Sequence, residues 1–116
     1  MHEAAFAISL LDQVLEQARL HSLSRITEVH VDLGLQLLVI PEALQTAFRA
    51  ASRDTLAADA RLSTKEVPIR AHCRSCASEY PAALDEYRCP NCGRAEAELV
   101  AGHEMILVSL EGEREN

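Results

Sequence analysis

Apolar residues recur at three- and four-residue steps over residues 4–19, with polar residues largely between them. This spacing predicts an amphipathic helix that begins almost at the first residue. The predicted buried stripe comprises Ala4, Ile8, Leu11, Leu15 and Ala18. A second helix is predicted to begin at Pro41, where a missing amide hydrogen costs least, and to run to about Arg53. Its predicted buried stripe comprises Leu44, Ala47, Phe48 and Ala51.

Three segments have strand patterns. Residues 27–33 alternate apolar with polar side chains until Gly34 interrupts them, which predicts a half-buried strand. Residues 61–67 form a weaker candidate that ends before Pro68. Residues 104–110 are almost continuously apolar, which suits a strand covered on both faces or the centre of a sheet. The tail after Leu110 is expected to be solvated.

Charge and hydropathy exclude two classes of partner. The 116 residues carry a net charge of -7, and one base, Arg114, accompanies six acids from Glu96 onward, which argues against a nucleic-acid surface. No apolar run approaches the ~20 residues of a membrane span. The N-terminus lacks the pattern of a signal peptide, so we expect a reducing cytoplasm.

All four cysteines lie in two C-x-x-C pairs, Cys73 with Cys76 and Cys89 with Cys92. Two such pairs supply the tetrahedral all-sulfur set that zinc accepts. Because protein would fill every ligand position, this zinc is predicted to be structural. A disulfide pair or a redox motif is the alternative. The zinc segment is predicted to be an insertion between two strands that enter and leave it side by side.

The first three residues, Met1-His2-Glu3, bring together an amine, backbone amides and an imidazole. The Met1 amine, the His2 amide and the His2 ring can form adjacent planar chelate rings, a geometry that Ni(II) or Cu(II) prefers to zinc. Glu3 or a partner could supply the fourth ligand. The alternative is an exposed His2 ahead of a helix with Glu3 as a favourable first-turn acid.

The other histidines are predicted to be structural rather than ligating. His21 is predicted to lie at the end of a helix and His30 on the face of a sheet. His72 is predicted to be a polar neighbour of the zinc site, although it could also reach the metal. His103 has no predicted role.

Several fragments in this order and spacing resemble the HypA/HybF family over essentially the whole chain. They are Met1-His2-Glu3, Pro41-Glu42-Ala43-Leu44, the two cysteine pairs, Gly102-His103-Glu104-Met105 and Val108-Ser109-Leu110-Glu111. The resemblance implies a nickel metallochaperone for NiFe hydrogenase maturation, not an enzyme. It implies an α+β fold: a nickel-binding domain of two helices on a three-stranded sheet, with an inserted four-cysteine, zinc-ribbon-like domain. We assign residues 1–70 and 96–116 to the first and 71–95 to the second.

The resemblance also implies ligands and partners. His2 would bind nickel with support from Met1 and Glu3, and the four cysteines would bind zinc. The implied partners are the accessory GTPase HypB and the large-subunit precursor of the hydrogenase. The chain is expected to act as a monomer or homodimer.

One segment departs from the family pattern. Gly34 is followed by Leu35-Gln36-Leu37-Leu38-Val39, where the family usually shows a Gly-Glu-Leu-Ser-like turn, so the acid is missing. The segment through Ile40 is apolar apart from Gln36. This segment predicts either a partner or self-association surface or a buried local cluster.

Three rival functions remain. They are a nucleic-acid-binding zinc ribbon, a metal-dependent hydrolase and a zinc-stabilised adaptor that does not bind nickel. Acidity and few aromatic residues disfavour the first, and the closed zinc site disfavours the second.

Overall fold

The structure, a computed structural model, describes residues 3–114, which contain two α-helices, a short 3-10 helix and six strands. In chain order these are α1 (Glu3–Leu20), β1 (Leu23–Gly34), the 3-10 turn (Leu35–Leu37), α2 (Pro41–Ala51), β2 (Arg61–Val67), β3 (Arg70–Cys73), β4 (Glu79–Pro81), β5 (Ala97–Ala101) and β6 (Met105–Arg114). The strands form two three-stranded sheets, ordered β2-β1-β6 and β4-β3-β5. The predicted α+β class is confirmed.

The chain divides into two compact units. Unit 1 takes in residues 1–31, 39–65 and 106–116, and unit 2 takes in residues 32–38 and 66–105. Unit 2 therefore extends beyond the 71–95 range predicted for the zinc domain, and it includes the end of β1. The domain boundaries given above stay a prediction.

Unit 1 has a core built from both helices and β1. Its fully buried side chains include Leu10, Val14, Ile26, Val29, Leu44 and Phe48. The helices α1 and α2 pack against each other. Pro41 occupies the first turn of α2, and the preceding Ile40 has the extended backbone that proline requires of its neighbour.

The buried face of α1 agrees with the predicted stripe in part, since Leu11 and Ala18 are buried as predicted. Ala7, Leu10 and Val14 are fully buried, whereas Ile8 is 56% exposed and Ala4 is also exposed. Both sets satisfy helical spacing, because apolar residues lie on several sides of this helix. Periodicity therefore predicted the helix correctly, but it assigned only part of the buried face correctly.

Strand β6 is an edge strand, so the prediction of a strand covered on both faces or central in its sheet is wrong. It has only β1 as a neighbour, and Ile106 and Val108 along it are 47% and 56% exposed. The strand also continues to Arg114, through residues predicted to be a solvated tail. Its last four residues are indeed exposed, but pairing with β1 gives them strand structure.

One other expectation fails, and one of the two alternatives for residues 35–40 is excluded. Strands β2 and β6, which precede and follow the zinc segment, are separated by β1 rather than lying side by side. Residues 35–40 form no buried cluster, since none of them is buried and Leu38 and Ile40 are 58% and 57% exposed.

Within unit 2, Gly34 and Gly102 allow two backbone segments to meet. The Gly34 amide donates to the Glu104 carbonyl, and the Gln36 amide donates to the Gly102 carbonyl, both at 2.9 Å. A Cβ on Gly34 would collide with the backbone of Gly102 and His103. The glycine that ends β1 is thus required by close approach.

The sheet of unit 2 is antiparallel. Ala71 of β3 pairs with Tyr80 of β4 and with Leu99 of β5, and Cys73 pairs with Ala97. Among residues 3–114, no helix is long and apolar enough to span a membrane.

Candidate metal centres

Both cysteine pairs lie in turns of the same construction in unit 2. The first follows β3, and the second lies between β4 and β5. In the first, the Ala77 amide donates to the Cys73 carbonyl (2.9 Å) and the Cys73 amide donates to the Ser78 carbonyl (2.8 Å). In the second, the Gly93 amide donates to the Cys89 carbonyl (2.8 Å), and the Cys89 amide donates to the Arg94 carbonyl (2.9 Å).

The two turns bring the four sulfurs together. The Sγ atoms of Cys73 and Cys92 are 3.6 Å apart, as are those of Cys76 and Cys89, and all four lie within 4.8 Å of one another. Tetrahedral zinc with Zn–S bonds of about 2.3 Å places its sulfurs about 3.8 Å apart. The cluster therefore has the dimensions of a tetrathiolate zinc site.

The distances also exclude a disulfide among these sulfurs in this structure. All four cysteines are free, and 3.6 Å is far longer than the ~2 Å of a sulfur–sulfur bond. Cys73 and Cys89 are buried, while Cys92 is exposed. Four thiolates leave no open ligand position, so the arrangement suits a structural zinc.

The surroundings of two of the thiols shift their pKa values in opposite directions. The pKa of the Cys76 thiol is lowered to about 5, first by the Ser78 hydroxyl 3.3 Å away and then by the Asn91 amide, which donates at 3.5 Å. The pKa of the Cys92 thiol is raised to about 11. The Arg94 backbone amide lowers it, but partial desolvation of the Cys92 sulfur within the cluster and its hydrogen bonds with the neighbouring sulfurs outweigh that effect.

Tyr80 packs beside the sulfurs and closes this small core. It is 3% exposed and lies in a buried cluster with Ala71, Cys73 and Cys89. Its hydroxyl donates to the Tyr87 carbonyl in the segment before the second turn. Burial, followed by the charge of the surrounding sulfurs, raises the pKa of Tyr80. Tyr80 thus links β4 to the second cysteine pair.

The predicted nickel ligands are only partly covered by the described chain. Glu3 is the first described residue and begins α1. Met1 and His2 lie outside the described residues. The proposed chelate therefore remains a prediction from the sequence.

The remaining histidines are distributed over both units. His72 is not part of the metal-capable group around the sulfurs, which among residues 3–114 contains the four cysteines alone. His103 Nε2 lies 3.7 Å from a Glu104 carboxylate oxygen. His21 is exposed at the end of α1.

Sequence reasoning missed a second group of metal-capable side chains. Glu28 and His30 of β1 meet Glu111 of β6, and one ligand atom from each lies within 4.8 Å of the others. The alternation along β1 indicates that Glu28 and His30 share a face. No sequence signal places Glu111 beside them, because that depends on strand pairing.

The chain matches one protein family along nearly its whole length. The family model described as "Hydrogenase/urease nickel incorporation, metallochaperone, hypA" matches residues 1–112. The hydrogenase maturation factor HypA of Roseiflexus sp. (strain RS-1) is 38% identical over 116 residues, covering 97% of this chain and 93% of that protein. The hydrogenase maturation factor HybF of Klebsiella pneumoniae is 34% identical over 113 residues, covering 97% of this chain and 100% of that protein.

Solved structures agree with this match. The solution structure of the Ni metallochaperone HypA from Helicobacter pylori superposes with a TM-score of 0.80 at 28% identity, covering 99% of this chain and 100% of that chain. A second solution structure of a HypA protein gives a TM-score of 0.76 at 27% identity, covering 99% and 98%.

Proposed function

Because this chain belongs to the HypA family of nickel-incorporation metallochaperones, we propose that it binds Ni(II) at its N-terminus and delivers it during NiFe hydrogenase maturation. The observation that carries this proposal is the family match over residues 1–112, which includes Met1-His2-Glu3 and all four cysteines. The family consists of metallochaperones and not enzymes, so the prediction that the chain is not an enzyme is confirmed.

The proposed nickel ligands are the His2 imidazole, the Met1 amine and the adjacent backbone, with Glu3 in support. A planar, nitrogen-rich set favours Ni(II) over zinc. Such a chelate can give up its ligands one at a time to a deeper site. Its affinity should fall as the pH drops, because both the amine and the imidazole must be deprotonated to bind.

The proposed zinc ligands are the four cysteine sulfurs. Their 3.6 Å separations and their free state support this assignment. Bound zinc would supply structural cross-linking and no open position for a substrate. We propose that its role is to hold the fold of unit 2.

The proposed partners follow from family membership. They are the accessory GTPase HypB and the large-subunit precursor of a NiFe hydrogenase, with no role for nucleic acid or a membrane. Free cysteines suit a cytoplasmic location. We propose that the chain acts as a monomer or a homodimer.

The test is a nickel titration of zinc-loaded, untagged protein beside a His2→Ala variant, followed by calorimetry and by the visible absorption of planar nickel. We expect about one equivalent of nickel with the planar band in the parent protein. The variant should lose that equivalent and its band while it retains zinc.

His21→Ala provides the matched control, since it removes an exposed imidazole elsewhere in the chain. It should leave the planar band unchanged. A band of equal strength in His2→Ala would remove the N-terminus from the site. Absence of the planar band from all three proteins would favour the zinc-stabilised adaptor instead.

A further inference from the structure

The sheet of unit 1 carries a convergent set of three side chains that the proposed function does not use. The His30 ring lies on β1 with its Nε2 3.3 Å from Glu111 Oε2 of β6 and 3.9 Å from Glu28 Oε2 of β1. The side chains of Glu28, His30 and Glu111 are 31%, 36% and 63% exposed. A small cation can therefore reach all three ligand atoms from solvent.

These separations match the edges of a coordination polyhedron. A first-row divalent ion about 2.1 Å from each nitrogen or oxygen ligand holds neighbouring ligand atoms about 3.0–3.5 Å apart. The 3.3 Å separation already lies in this range, and side-chain rotation can shorten the 3.9 Å one. All three ligand atoms lie within 4.8 Å of one another.

Neighbouring contacts hold the set in place. Arg61 of β2 lies 3.7 Å from Glu28 Oε1, and the other carboxylate oxygen, Oε2, is the one that faces His30. The Thr27 hydroxyl donates to the Glu111 carbonyl at 3.1 Å and fixes β6 at this register. Partners that orient ligand side chains in this way are a regular feature of protein metal sites.

We propose that Glu28, His30 and Glu111 form a second metal site, for a first-row divalent ion such as Ni(II) or Zn(II), distinct from the cysteine cluster. One imidazole and two carboxylates form a mixed nitrogen and oxygen set, which suits these ions better than Mg(II) or Ca(II). Three protein ligands leave further positions for water, so the bound ion is exchangeable.

The simpler arrangement is an ion-pair cluster. In that case a protonated His30 pairs with Glu111, and Arg61 pairs with Glu28, without a metal. If the three side chains form only an ion-pair cluster, added Ni(II) should leave the His30 ring signals unchanged. If they form a metal site, added Ni(II) should broaden those signals.

The experiment titrates Ni(II) into zinc-loaded protein that carries His2→Ala, which removes the N-terminal imidazole. Binding is followed by calorimetry and by NMR of the histidine rings, because Ni(II) with water ligands is paramagnetic and broadens nearby signals. We expect one binding event that selectively broadens the His30 ring and lacks the planar-nickel band. Excess Mg(II) should not displace the ion.

His30→Ala and Glu111→Gln should each weaken this event about tenfold or more. Glu113→Gln is the matched control, since Glu113 lies on the same strand, is exposed and contacts Arg25 at 3.7 Å rather than the cluster. It should bind nickel normally. Absence of binding, equal binding in His30→Ala, or equal loss in Glu113→Gln would each overturn the proposal. None of these outcomes bears on the planar N-terminal chelate, because His2 is absent throughout.

Discussion

The thiols of the cysteine cluster differ in how readily they lose their protons. A sulfur must be a thiolate to bind zinc, so a thiol that is already ionised is ready for the metal. Hydrogen bonds from Ser78 and Asn91 lower the pKa of Cys76 to about 5, whereas that of Cys92 is raised to about 11. Cys76 is therefore ionised near neutral pH without metal, and Cys92 is not, even though Cys92 is the more exposed.

This difference predicts the order of alkylation in metal-free protein. Between pH 7 and 9 the rate at Cys76 should stay nearly constant, because a thiol with a pKa of about 5 is already ionised. Over the same range the rate at Cys92 should rise about tenfold per pH unit, since its pKa lies near 11. Peptide mapping by mass spectrometry after brief iodoacetamide treatment measures both rates.

Zinc-loaded protein is the control, and all four thiols should be protected in it. Ser78→Ala should raise the pKa of Cys76 and restore a pH-dependent rate there. Identical profiles for Cys76 and Cys92 would contradict the assigned hydrogen bonds.

The two cysteine turns share their hydrogen bonds but differ at one residue. The position after each second cysteine has a positive φ, 66° at Ala77 and 76° at Gly93. Glycine adopts this conformation without cost, whereas an L-residue with a Cβ is strained by about 1 kcal/mol or more. The first turn is thus built with a residue that its backbone disfavours.

Exchanging these residue types should change stability in opposite directions. Ala77→Gly removes the strain but loosens the unfolded chain, so we expect between no change and about 1 kcal/mol of stabilisation. Gly93→Ala should destabilise by about 1 kcal/mol, through φ alone, because a Cβ there meets no atom within 4 Å. Urea unfolding of zinc-loaded protein, followed by tyrosine fluorescence, measures both.

Ala95→Gly is the reference substitution, at an exposed site outside the positive-φ region. It should lower stability by up to about 1 kcal/mol. If Ala77→Gly is as destabilising as Ala95→Gly, strain at Ala77 is not a feature of the first turn.

How well an element could be predicted depended on how local its determinants are. Strand β2 begins and ends at the predicted residues 61 and 67, because alternation and Pro68 define it locally. The buried face of α1 and the edge position of β6 depend on what packs beside them. The first was predicted only in part, with Leu11 and Ala18 correct, and the prediction for β6 was wrong. An apolar run cannot distinguish a central strand from an edge strand with exposed residues such as Val108.

At the scale of the whole molecule, the predicted family is confirmed by the match over residues 1–112. The cysteine cluster was predictable because each pair is local and a tetrahedral zinc site takes four ligands. The set around His30 was not predictable, because Glu111 lies 81 residues away along the chain. Residue spacing along the chain reveals a site whose ligands lie within one turn. It does not reveal a site whose ligands come together only when strands pair.

The two units also differ in what stabilises them. Unit 1 has an apolar core that includes Phe48 and Leu10, whereas the buried cluster around Tyr80 in unit 2 consists of four residues, of which Cys73 and Cys89 are two. With Ile69 and Leu33 as its other buried apolar side chains, unit 2 has a core small enough that we expect it to depend on bound metal. Both tyrosines of the chain, Tyr80 and Tyr87, lie in unit 2, and both α-helices lie in unit 1.

Zinc removal should therefore unfold unit 2 and leave unit 1 folded. With a strong chelator, the thermal transition in tyrosine fluorescence should disappear, because unit 2 loses the cross-link among its four sulfurs. The helical circular dichroism at 222 nm should keep a cooperative transition, since the core of unit 1 contains no cysteine. Adding zinc back should restore the fluorescence transition, and Mg(II) should not. Simultaneous loss of both signals would mean that the units fold as one, and an unchanged fluorescence transition would mean that unit 2 is stable without its metal.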